Sequence, residues 1–196
     1  MHGLVNKSIQ CFVRDTYGPE VWGKVAVCAN VEHEGFEPML TYEDQVTHDL
    51  LHAAQTALHK PMDVLLEDLG TYLVSHENVE RLRRLLRFGG ASFTDFLHSL
   101  EDLPERAKLA VPELDLPAME LRSLGDGQFK LVCSAEQSGF AHVMVGLLRT
   151  LADDYGALAL LEYAGGADGR EEVDIHVLDS GFSSGRTFSL AGEVEA

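Results

Sequence analysis

Leu4, Val5, Ile9, Phe12 and Val13 share one face if the first residues of the chain are helical, and this period continues to about residue 110. "GPEVWGKVAVCANV" predicts a second helix, with Pro19 in a first turn, where proline is tolerated. "YEDQVTHDLLHAAQTALHK" predicts a third, stopped before Pro61, and "PMDVLLEDLGTYLVSH" a fourth. A basic helix, "VERLRRLLRF", ends at Gly89 and Gly90. "SFTDFLHSLEDL" opens the next, with Ser92 as its N-cap.

After Pro117 the period shortens. "AMELRSL" and "FKLVCSA" alternate around "GDGQ", which is a hairpin signal. "SGFAHVMVGLLRTLADDYG" then carries Phe140, Val143, Met144, Leu147, Leu148 and Leu151 on one helical stripe, and "ALALLEYA" and "EVDIHVLD" follow as strands joined by a loop in "EYAGGADGREE". The pattern predicts an α+β fold in which an N-terminal helical layer packs on a subdomain with a four-stranded antiparallel sheet. The predicted strands are 118–123, 128–134, 157–164 and 171–179. Residues 1–196 form a single domain, divided into a helical part, 1–60, and an α+β part, 61–196.

Composition narrows the partners. A hydrophobic fraction of 45% can fill a core, and 32 acidic against 15 basic residues give a net charge of -17. That balance repels a phosphate backbone and anionic headgroups, so neither nucleic acid nor membrane is expected as a partner; basic protein surfaces are, with affinity falling as salt rises. The basic run at 81–87, with Arg83 and Arg84, predicts a docking site or a self-complementing patch. With no apolar run of membrane-spanning length and three scattered cysteines, Cys11, Cys28 and Cys133, the expectation is a cytoplasmic protein with no metal site.

The candidate chemistry is sparse. His48, His52 and His59 share a face of the third helix, which is either a divalent-metal edge or a solvated polar face opposite Leu50, Leu51, Ala54 and Leu58. Cys133 is a buried inert thiol or a reactive one. No nucleophile, base and orienter stand at a recognisable spacing, so no enzymatic activity is expected, and an enzyme built on Cys133 is the weakest alternative. Pro104 interrupts "LEDLPERAKLAV". Either Asp102 starts a new helix with Leu103 and Pro104 in its first turn, or Pro104 lies in a curved helix without functional consequence.

The opening "MHGLVNKSIQCFVRDTYGPEVW", with "LLEDLGTYLV", "FTDFLHSLEDL", the prolines Pro112 and Pro117, and "GFAHVMVGLLRTLADDYG", resembles the haem nitric oxide/oxygen-binding (H-NOX) family, which includes the sensor domain of soluble guanylate cyclase. The resemblance spans nearly the whole chain. It implies a haem pocket walled by Val5, Val74, Leu100 and Leu148, with Pro117 against the porphyrin. The family's axial histidine matches Pro104, which has no lone pair to give iron. The tyrosine, serine and arginine that grip the propionates match Cys133, Ala135 and Gln137, none of which can replace them.

His98 is the fallback axial candidate. On a continuous helix it stands about 240° and roughly 9 Å from position 104. Phe93, Phe96, Tyr72 and Phe129 are candidates to fill a pocket without haem. The resemblance therefore implies a sensory or regulatory domain that signals to a protein partner (a kinase, cyclase or cyclic-dinucleotide enzyme), haem-poor or haem-free because its anchors are replaced. The alternative is a haem-binding gas sensor with a non-standard axial ligand; a diatomic gas or small apolar molecule is the ligand class in either case. Restoring Pro104→His, Cys133→Tyr, Ala135→Ser and Gln137→Arg together returns haem affinity if the pocket is vacant and fails if it has closed.

Overall fold

The computed structural model describes residues 1–32, 35–76, 83, 86–87, 89–134 and 138–185. Helix α1, Gly3–Tyr17, is capped by His2, whose Nδ1 accepts the Leu4 N–H, and buries Ile9, Phe12 and Val13. Pro19 opens α2, Pro19–Cys28. Helix α3, Asp44–Leu58, and helix α4, Met62–Ser75, flank Pro61, which the chain places just before α4. These four helices enclose a first core of Ile9, Phe12, Trp22, Leu50, Leu65 and Tyr72 with their neighbours. The predicted basic helix falls largely outside the described residues.

Ser92 starts α5, Phe93–His98, through a reciprocal capping box with Asp95. The helix stops at His98, one 3-10 turn covers Leu100–Asp102, and α6 runs Leu103–Ala110 with Pro104 in its first turn. The break expected from Pro104 is therefore present, and it begins four residues before Asp102. A proline cannot occupy a helix interior without clashing with the preceding turn, but its missing N–H is of no consequence in a first turn.

Strands β1, Ala118–Gly125, β2, Gln128–Ser134, β3, Leu158–Ala167, and β4, Arg170–Asp179, form one antiparallel sheet in the order β1-β2-β4-β3. Both hairpins turn on Asp-Gly: Asp126 and Gly127 have φ of 51° and 73°, and Asp168 and Gly169 have 53° and 73°. Two successive positive φ values match the right-handed strand twist, so the second turn needs only two residues. The predicted loop in 162–172 is consequently absorbed into longer β3 and β4 strands.

Helix α7, Phe140–Tyr155, lies across the inner face of the sheet. With α5 and the strands it encloses a second core that includes Phe93, Phe96, Leu100, Leu131, Met144, Leu148, Val173 and Ile175. The two cores meet where α4 crosses α7. A methyl at Gly70 would run into the Val143 carbonyl, and one at Gly146 into the Glu67 carbonyl. The backbones can approach only because both positions lack a Cβ. Thr71 Oγ1 donates to the Gly146 carbonyl at 3.4 Å, and Arg149 Nη1 reaches Glu67 Oε2 at 3.1 Å across the same seam. Gly146→Leu is expected to destabilise the domain by about 2–4 kcal/mol, as overpacking at a rigid backbone contact does. Urea unfolding monitored by circular dichroism measures it.

Arg83 is not an open docking cation. Its Nε lies 2.5 Å from Oδ2 of Asp154, which is 2% exposed at the end of α7. Arg87 stacks its guanidinium on Tyr155 at 3.9 Å, and the Tyr155 hydroxyl donates to the carbonyls of Arg87 and Gly90. Arg83 is thus fastened to the end of α7, as the self-complementing alternative for the basic run expects; Arg84 lies outside the described residues. Arg83→Glu sets a second carboxylate beside Asp154. The expected cost is roughly 1–3 kcal/mol of unfolding free energy, the upper part of the usual range for a disruptive single change, read as a lowered urea midpoint.

Candidate functional site

The positions singled out by the sequence divide between the two cores. Val74, Leu100, Cys133 and Leu148 join the second core, with Phe93, Phe96 and Phe129 around them. Pro104 is buried at the start of α6, and Pro117 is half-buried just before β1. Val5 packs against the first core, which also holds Tyr72. Tyr72 donates its hydroxyl to Asp15 at 2.7 Å, and burial pushes its phenol well above its ordinary pKa. It is a member of the N-terminal helical packing and does not fill the second core. Ala135 and Gln137 lie outside the described residues.

His98 is exposed at the end of α5, where its ring meets Phe129 edge-on at 5.7 Å and 84°. The helix break after it removes the continuous helix on which its angle to position 104 was reckoned. Of the histidines on α3, His48 is half-buried, while His52 and His59 are exposed. His52 lines a cleft of about 350 Å³ with Cys28, Asn30, Asp49 and Thr56 among its walls, but neither His48 nor His59 does. Among the described residues no three His, Cys, Asp or Glu side chains are grouped to hold a metal ion.

Packing around Leu148 decides what this part of the fold can hold. Phe96, Leu97, Leu100, Leu131, Cys133 and Leu148 have no exposed surface at all. Side chains buried to this degree pack against their neighbours in the second core. The aromatic rings of Phe93, Phe96 and Tyr155 lie 6.0–6.4 Å apart, centroid to centroid, and continue the packing toward the end of α7. Cys133 is held protonated: burial, followed by the charge of Glu171, pushes its thiol up to about 12. A thiol in that state is a poor nucleophile and a poor metal ligand.

Glu171 was not anticipated from the sequence. It pairs with Cys133 across β2 and β4 and is only 7% exposed. Its Oε1 accepts the Gly139 N–H at 2.6 Å and its Oε2 the Ala141 N–H at 3.0 Å. A carboxylate thus closes the N-terminus of α7, where unpaired N–H groups and the helix dipole favour an anion. The signal lay in the alternation of β4: Glu171 has the same parity as Val173 and Ile175, the strand's core-facing residues. A carboxylate at such a position requires a buried partner.

A family model described as haem-NO-binding matches residues 2–159. The chain belongs to the haem-NO-binding (H-NOX) family. Soluble guanylate cyclase 89Db of Drosophila melanogaster is 22% identical over 163 residues, covering 83% of this chain and 24% of that protein. Soluble guanylate cyclase gcy-31 of Caenorhabditis elegans is 23% identical over 154 residues, covering 79% and 22%. The chain therefore spans about a quarter of the length of these relatives. The Fe(II) unliganded H-NOX protein from K. algicida superposes with a TM-score of 0.78 at 16% identity, covering 91% of this chain and 97% of that one. A mutant H-NOX protein from S. oneidensis in the Fe(II) ligation state gives 0.78 at 16% identity, covering 92% and 97%. The likeness to these structures is one of fold, and it agrees with the α+β architecture described above. No helix among the described residues is long and apolar enough to cross a membrane.

Position 104 offers no lone pair, the thiol at 133 is buried and protonated, and the side chains around Leu148 already touch one another. The carboxylate at the start of α7 comes from the chain itself. Glu171→Gln keeps the shape and one acceptor but removes the charge, and it is expected to cost about 1.5–3 kcal/mol, the range for hydrogen bonds to a charged group. Denaturant midpoints of the two proteins at neutral pH give the difference.

Proposed function

We propose that this H-NOX domain is a sensory or regulatory module that acts through protein contact and is haem-poor or haem-free. The observation that supports the reading is the second core: Val74, Leu100 and Leu148, three of the positions that the family resemblance assigns to a pocket, are buried in it, and Pro104 occupies the position that the resemblance matches to the axial histidine. A module of this kind changes a partner's activity through its surface. The similarity to portions of proteins named soluble guanylate cyclases supports a signalling enzyme as the partner, with a kinase or a cyclic-dinucleotide enzyme as the other members of that class. Leu100, Cys133 and Leu148 are closely packed, which supports protein contact as the output, with a diatomic gas or a small apolar molecule as the class of signal.

Haemin titration followed by absorbance tests the haem-poor reading. The wild-type chain is expected to develop no saturable near-ultraviolet Soret band. The combined Pro104→His, Cys133→Tyr, Ala135→Ser and Gln137→Arg chain is expected to fail as well, because a phenol at 133 has no room. Leu148→Ala is expected to cost about 3–5 kcal/mol, the cost of a cavity cut into a filled core. Tight saturable haem binding by the wild type overturns the reading, as does a Leu148→Ala cost below about 1 kcal/mol, which is what a residue lining an empty pocket would show.

A further inference from the structure

The sheet's inner face is covered by α7, whereas part of its outer face is unusually apolar. Gln128, His176 and Leu160 form one row across β2, β4 and β3. Leu160 is 56% exposed. Leu158, two residues away on the same strand, is 38% exposed, and Leu178, where the β4 register shifts, is 49% exposed. Leu124, beside the first Asp-Gly turn, is 60% exposed. A solvated antiparallel face carries polar residues at such positions. Here leucines from three strands collect at one end of the sheet, the kind of patch that marks an interaction site.

The rim of this patch is acidic. Glu162 stands opposite Asp174 in the β3–β4 register, a like-charge pair that weakens the sheet, and Asp179 stands opposite Leu158. Lys130, the cation reaching over from β2, is already shared between Glu172 at 2.7 Å and Asp174 at 3.1 Å. Arg122 on β1 is taken by Glu120. Carboxylates held side by side against a leucine cluster gain most from a cationic neighbour.

We propose that this patch is the docking surface for a protein segment with apolar side chains at its centre and lysines or arginines at its edges. The assignment rests on the reading that the domain acts by protein contact, and it names the surface and the chemistry of the contact. The same charges disfavour the other occupants. A second copy brings the same acidic rim and a net charge of -17, an anionic membrane brings more negative charge, and residues 186–196 carry Glu193 and Glu195.

A fluorescent amphipathic helical peptide built of leucine and lysine serves as the probe, with a leucine–glutamate peptide as control, in anisotropy titrations of the full chain. The lysine peptide is expected to bind, and binding is expected to weaken as salt rises. It should weaken about tenfold or more, some 1.4 kcal/mol, in Leu160→Ser/Leu178→Ser, which leaves net charge unchanged, and similarly in Glu162→Lys. Circular dichroism of both variants should remain that of the wild type. Absence of binding, or equal binding by Leu160→Ser/Leu178→Ser, overturns the proposal. So does self-association in sedimentation that these serines abolish, which would give the patch to a second copy. Leu160-dependent binding to phosphatidylserine vesicles would give it to a membrane, and a tenfold gain in peptide affinity on Phe188→Ser/Leu190→Ser would give it to the chain's own end. Haemin titration reads the haem-poor proposal alone, so the two can fail separately.

Discussion

The close backbone approach of α4 and α7 at Gly70 and Gly146 is the constraint on which the rest of the arrangement depends. With no side chain at either position, the carbonyls of Val143 and Glu67 lie within contact of the opposite helix. This brings the N-terminal helices and the sheet-bearing half into one body. It also fixes α7 in depth over the sheet, so that Met144, Leu148 and Leu151 reach the strands. The two ends of α7 are then secured electrostatically, by Glu171 at the N-terminal N–H groups and by Arg83 at Asp154. Burial along the helix and charge at its ends act together, and neither alone sets its position.

Much of this was legible in the chain because it depends on local period and local stereochemistry. The stripe from Phe140 to Leu151, the alternation after Pro117, the cap at Ser92 and the break at Pro104 each follow from residues a few positions apart. Where the local reading erred, the cause was equally local. Asp168-Gly169 can turn in two residues, so a stretch that looked like a loop is largely strand. The long-range pairs were not legible. Glu171 meets Gly139 across 32 positions, and Arg83 meets Asp154 across 71; nothing in the charge pattern of either segment names its partner. Whether side chains close a core completely is a matter of summed volume and shape, which periodicity does not encode.

Family membership and the retained chemistry have to be read separately. This chain has the H-NOX fold with a helix-starting proline at position 104 and a buried thiol at position 133. A proline in a first turn is compatible with the helix that follows the 3-10 break, and Cys133 stands opposite Glu171, which holds the start of α7. Leu100 and Leu148 both lie in the second core.

Glu171 has a consequence at the level of mass action. A fold stabilised by a bound molecule gains stability as the logarithm of that molecule's concentration and loses it when supply falls. A carboxylate carried on β4 is present once per chain under every condition, and its effective concentration is set by the sheet. The seating of α7 on its N–H groups is therefore uncoupled from the abundance of any metabolite.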